Sequence, residues 1–165
     1  MMTHLRRATT TVLVTSKDQF DAFVEMVGGK YTLALTIPLN PVPAARARIS
    51  RYGRGAYYPK TYANWKRQAQ LYLPQGVKED LDTRVWPAKR QHLVVCTEFI
   101  IKKARTSKLT TPKGDLDNYT KAAWDAVTKS YGVWNDDDQV VLGLEHKRFA
   151  TEEEEPRTEL LIIEI

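Results

Sequence analysis

A chain of 165 residues with 42% apolar and 27% charged side chains has the size of one domain with its own core, and such usage excludes collagen-like, wholly disordered and membrane-embedded classes. The formal charge of +5 is mild as an average but segregated along the chain, since no acidic residue occurs from Tyr31 to Lys78 or from Phe99 to Gly114. No apolar run in the first 30 residues exceeds Val12-Leu13-Val14, so neither a secretion signal nor a spanning helix is expected, and the lone Cys96 in an apolar run fits a reducing cytoplasm.

In chain order, the β-branched stretch Thr9 to Thr15 predicts a short strand. Ser16 and Gln19 have capping-box spacing before a helix striped by Phe20, Phe23, Val24 and Val27 and closed by Gly28-Gly29. Residues 1–30 read as an appended strand and helix, and 31–165 as the main domain. Leu33, Leu35 and Ile37 alternate as a half-buried strand that Pro38, Pro41 and Pro43 stop. An arginine-rich loop with Gly53 and Gly55 follows, then a helix capped by Thr61 and running to about Leu73, then a surface connection over 74–90. His92 to Ile101 predicts an apolar strand. In 117–130, Tyr119, Ala122, Ala123, Ala126, Val127 and Ser130 recur on one helical face, with Asp117, Lys121, Trp124, Asp125 and Thr128 opposite. Strands from Gln139 to Phe149 and from Thr158 to Ile165 are expected to form a hairpin around the acidic turn 151–155. The order implies an α+β fold, one mixed sheet with helices packed on it.

Two acidic clusters carry the chemistry. Asp115 and Asp117 share a side at the entry to the helix, and Asp136-Asp137-Asp138 follows it. Were they to meet, their repulsion would call for a hard divalent cation with oxygen ligands, magnesium first. Singly, each has a structural reading: Asp115 as a helix cap, Asp117 with Lys121 as an i,i+4 pair, the triple aspartate as a solvated turn. The basic span interleaves Tyr52, Tyr57 and Tyr58 with Arg46, Arg48, Arg51, Arg54 and Lys60, a mixture suited to gripping phosphates and stacking on bases, or a solvated basic surface. Lys102, Lys103, Arg105 and Lys113 supply a second basic stretch. His4, His92 and His146 have no zinc spacing, and neither a P-loop nor a dinucleotide fingerprint occurs, so no nucleotide cofactor is expected.

Asp115-Leu116-Asp117-Asn118, Lys121, Trp124-Asp125-Ala126 and Asp136-Asp137-Asp138-Gln139-Val140-Val141 resemble, in order and spacing, the RusA group of Holliday-junction resolvases. Ile37-Pro38, Pro41, Pro43, Arg46, Arg48 and Tyr58-Pro59-Lys60 are similar to that family's amino-terminal signature, and the likeness runs from about Tyr31 to the end. The resemblance implies a homodimeric, magnesium-dependent endonuclease of phage or prophage origin, with manganese able to substitute, cutting paired strands of four-way DNA junctions. It implies Asp115, Asp117, Lys121 and, aligned to Gln139-Val140-Val141, Asp137 as essential residues and the acids as metal ligands, with Asp136 as the reserve for Asp137. Residues 1–30 lie outside it. Two other classes stand against this reading. One is a branched-DNA-binding recombination accessory protein whose acids are structural; the other is a sugar-nucleotide transferase, which gives no reason for the long acid-free basic span.

Overall fold

The computed structural model describes residues 17–29, 31–50, 53, 55–77 and 91–165. The expected strand at Thr9 to Thr15, the cap Ser16, residues Arg51, Tyr52 and Arg54, and most of the 74–90 connection lie outside them.

Helix α1 spans Lys17–Met26 and closes at Gly28, whose φ of 72° is the left-handed conformation expected there. Strand β1 covers Tyr31–Ile37. The arginine-rich segment is not simply a loop. Its Arg48–Ile49 (β2) and Ala56–Tyr57 (β3) pair antiparallel as a two-stranded ribbon standing outside the main sheet. Helix α2, Lys60–Ala69, begins one residue before the expected cap Thr61. Its entry residue is Pro59, whose fixed φ of −51° leads into the helix with no side-chain cap. A 3-10 turn over Gln70–Tyr72 completes the helical segment. Strand β4 is Leu93–Ile101, helix α3 Leu116–Ser130, β5 Val140–Phe149 and β6 Arg157–Glu164.

The sheet order is β1-β6-β4-β5. The expected hairpin between β5 and β6 therefore does not form. β4 lies between them, parallel to β5 and antiparallel to β6. The reason is burial: every residue of β4 is buried, so this nearly continuous apolar run takes the centre, whereas β5 is only half-buried and takes an edge. β4, α3 and β5 thus make a parallel crossover unit.

Alternation along the strands gives the sheet two apolar faces. Leu93, Val95, Leu160, Ile162, Leu35 and Ile37 pack with Tyr62, Trp65 and Ala69 of α2 and Ala122, Ala126 and Val127 of α3. On the opposite face, Val94, Cys96, Leu161 and Ile163 are covered by Phe23 and Val24 of α1 and Val27 just after it. The molecule is an α+β domain of three layers. The second face becomes polar further along, where Glu98, 1% exposed, meets Arg148 Nε at 2.8 Å. Arg148 continues to Glu154 at 2.5 Å, and Arg157 bonds Glu159 at 2.6 Å.

Candidate functional site

The expected apolar face of α3 is the buried one, and the opposite stripe forms the site. Asp117, Lys121 and Asp125 follow one another at four-residue intervals, about 6 Å apart along the axis. Asp115 occupies the N-cap position but makes no capping bond with its side chain; its Oδ2 accepts from Asn118 Nδ2 at 3.5 Å. Among the described residues Asp117 and Lys121 close no ion pair. The structural readings of Asp115 as a cap and of Asp117 with Lys121 as a closed pair are therefore not what these side chains do.

The second cluster is held from both sides. Trp134 is fully buried, stacks edge-on against Trp124 and donates Nε1–H to Thr128 Oγ1 at 2.7 Å. Buried Gln139 accepts from the Asn135 N–H at 2.8 Å and donates to the Gln91 carbonyl at 3.1 Å. Between these anchors Asp136 caps a 3-10 turn over Asp137–Gln139, its Oδ1 accepting from the Asp137 N–H at 2.8 Å. Gly132 permits the return from α3, because a Cβ there would lie 2.1 Å from the Pro74 carbonyl oxygen. Asp136 thus has a local structural task, while Asp137 is half-buried beside it. Burial, then the neighbouring Asp136 and Asp125, push the Asp137 carboxyl above its ordinary value, and Lys121 opposes them. The α3 charges that act on Asp137 are those of Asp125 and Lys121. Among the described residues no group of three His, Cys, Asp or Glu is gathered closely enough to hold a metal ion. In kind, the donors suit a hard cation, being carboxylate oxygens.

Asp125, on the polar helix face and in the family motif, is the site residue to which sequence reasoning assigns no role. Its Oδ2 accepts from Tyr62 Oη–H at 3.4 Å and faces Lys66 Nζ at 3.6 Å, both from α2. Its position in the Asp117–Lys121 stripe was the signal available in the sequence.

The two acid-free segments converge on the same end of α3. The Lys102 N–H donates to Asn40 Oδ1 at 2.8 Å, and the Ala44 N–H to the Asn118 carbonyl at 2.8 Å. Lys147 Nζ bonds the Pro112 carbonyl at 3.1 Å and also the Gly114 carbonyl, fixing the loop before Asp115. Arg46, Arg48, Lys60, Lys102, Lys103, Arg105 and Lys113 are all exposed. Arg51 and Arg54 lie outside the described residues.

The model of the family described as endodeoxyribonuclease RusA matches residues 38–163, well over half of the chain. The chain belongs to the RusA family. It is a member of a family of endodeoxyribonucleases that act on branched DNA. The RusA match starts just after β1, so α1, which covers the second face of the sheet, precedes it. Among curated proteins no relative matches the chain. No helix among the described residues is long and apolar enough to cross a membrane.

Proposed function

We propose that this chain is a cytoplasmic, magnesium-dependent endonuclease that resolves four-way DNA junctions by paired phosphodiester hydrolysis, working as a homodimer. The observation that carries the reading is the polar stripe of α3, where Asp117, Lys121 and Asp125 lie on one side and the last two act on the carboxyl of Asp137, while basic segments converge at the helix start. Asp115, Asp117 and Asp137, with Asp136 beside them, would hold magnesium or, in its place, manganese. When bound, that ion supplies charge neutralisation at the scissile phosphate and an activated water.

The protein's own groups do the rest. Lys121, exposed and engaged by no carboxylate within ion-pair distance among the described residues, meets a phosphate oxygen or the departing oxygen. Arg46, Arg48, Arg51, Arg54 and Lys60, with Lys102, Lys103, Arg105 and Lys113, grip backbone phosphates without reading sequence. Exposed Tyr57 and Tyr58 offer ring faces to unstacked bases near the branch point. Two copies are needed because one chain brings one such stripe, whereas a junction is resolved by two symmetrical cuts.

The test is incubation of the purified protein with a synthetic four-way junction, with and without magnesium. Paired nicks that appear only with the ion support the reading. Tight junction binding with no cleavage at any magnesium concentration would make the chain a branched-DNA-binding accessory protein instead.

A further inference from the structure

We propose that Ile49, which stands out of the β2–β3 ribbon, is an apolar wedge that enters the base stack at the branch point of a DNA junction. The inference rests on the function proposed above and deepens it, by naming the group that tells branched DNA from linear duplex.

Ile49 is 84% exposed, the most exposed large apolar side chain among the described residues. The ribbon's register explains why. Arg48 faces Tyr57 and Ile49 faces Ala56, so the two pairs stand on opposite faces, and across from Ile49 there is only a methyl group. No other strand among the described residues joins the ribbon to lend that face a further neighbour. A β-branched side chain also holds its χ1 firmly, so the projection is stiff. Folding gains nothing from it there, because apolar surface stabilises only when it leaves water.

Position sets Ile49 apart from the scattered apolar residues of an ordinary surface. The chain enters the ribbon from the start of α3, where the Ala44 N–H donates to the Asn118 carbonyl at 2.8 Å. It leaves toward the middle of that helix, since the Tyr58 ring meets Tyr62 edge-on at 5.5 Å and the Tyr62 hydroxyl donates to Asp125 at 3.4 Å. Both legs of the ribbon are thus tied to the helix that carries Asp117, Lys121 and Asp125. Ile49 follows Ala44 by five residues, a reach of about 18 Å at full extension, which is less than the roughly 34 Å of one duplex turn. Wedge and acids address the same branch point. The surroundings name the occupant. Arg46, Arg48 and Lys60 are exposed around the ribbon, and no acidic residue occurs from Tyr31 to Lys78. An apolar tip among cations matches a partner that is anionic outside and apolar between its bases, whereas the ribbon of a second copy would bring the same charges and be repelled. Apolar side chains pushed between base steps unstack them at a cost in free energy. That cost is least where a branch already interrupts the stack, so the wedge favours the junction over continuous duplex.

The test places the fluorescent base 2-aminopurine at the branch point of a four-way junction and adds the full chain without divalent cations. Fluorescence should rise at least about twofold as the base is unstacked. Ile49→Ser should lose that rise and lower the preference for junction over linear duplex at least about fivefold. Its duplex affinity and salt slope should be kept, because no charge is removed. Ile49→Leu, which restores an apolar tip, should restore both signals. Tm should stay at the parent's value in each variant, since the side chain is exposed. An Ile49→Ser protein with the parent's fluorescence and preference would overturn the inference and leave the nuclease standing. Junction and duplex affinity falling together would make Ile49 a general contact and overturn it equally. A shift from dimer to monomer in sedimentation of Ile49→Ser would make it a contact between copies, with the same consequence. A parent that neither prefers junctions to duplex nor cuts them would remove the proposed function, and the inference with it.

Discussion

At the scale of single residues, Asp136 and Asp137 have different tasks although they are neighbours of the same type. Asp136 closes the turn through the Asp137 N–H, and the half-buried Asp137 carboxyl stands under the charges of Asp125 and Lys121. Asp137→Asn should therefore abolish junction cleavage, by at least about a hundredfold in kcat, with Tm nearly unchanged. Asp136→Ala should lose stability by about 0.5 to 2 kcal/mol as a lost cap does. Asp117→Asn should likewise stop cleavage while junction affinity is kept, because removing negative charge does not weaken attraction to phosphate. Equal loss of binding and cutting would indicate misfolding instead.

Another residue prediction concerns acid stability. The Arg148 guanidinium and the Thr151 N–H hold the Glu154 carboxyl down at about 2. A carboxyl depressed on folding contributes stability that is fully present above its unfolded value of 4.5 and is lost as pH falls toward 2. Melting temperatures should drop across that window, and Glu154→Gln should flatten the drop. An unchanged slope would assign the acid sensitivity to other groups.

At the scale of elements, the β2–β3 ribbon is two residues long on each strand and pairs with no other strand among the described residues, and a two-stranded ribbon of this kind is marginal by itself. It carries Arg48 opposite Tyr57, and Ile49 on it is 84% exposed. Such a surface is suited to binding rather than to core. Replacing Arg46 and Arg48 by alanine should leave Tm in place and lower the salt slope of log affinity for a junction by roughly 0.9 for each phosphate no longer neutralised. A slope equal to the parent's would return these arginines to solvated surface. The acidic turn rests on a different support, the fully buried Trp134. Trp134→Ala should cost about 3 to 5 kcal/mol in denaturant unfolding and take cleavage with it, because the turn loses its anchor.

At the scale of the whole molecule, β5 is an edge strand among the described residues, with exposed Val141 and Leu142 at a register irregularity just after Asp136–Asp138. Sedimentation should give a dimer at micromolar concentration, and Val141→Asp with Leu142→Lys should shift it toward the monomer if this edge is where two copies meet. A monomeric parent that still makes paired cuts would defeat the dimer while leaving the nuclease. Periodicity and capping are local, so the stripe of α3, the strand of β4, the glycine stop after α1 and the two acidic clusters are all legible in the sequence, whereas the β2–β3 ribbon, only two residues on each strand, leaves no such pattern. It also held the segregation of basic from acidic stretches. Only the tertiary structure decided that β4 separates β5 from β6, because competition for the sheet centre is settled by relative burial over the whole chain. The same crossover sets Asp137 under the charges of Lys121 and Asp125 on α3, and the packing of α2 on α3 gives Asp125 its partners from a helix more than fifty residues earlier. No local pattern encodes such meetings, since they depend on how two helices share one face of the sheet.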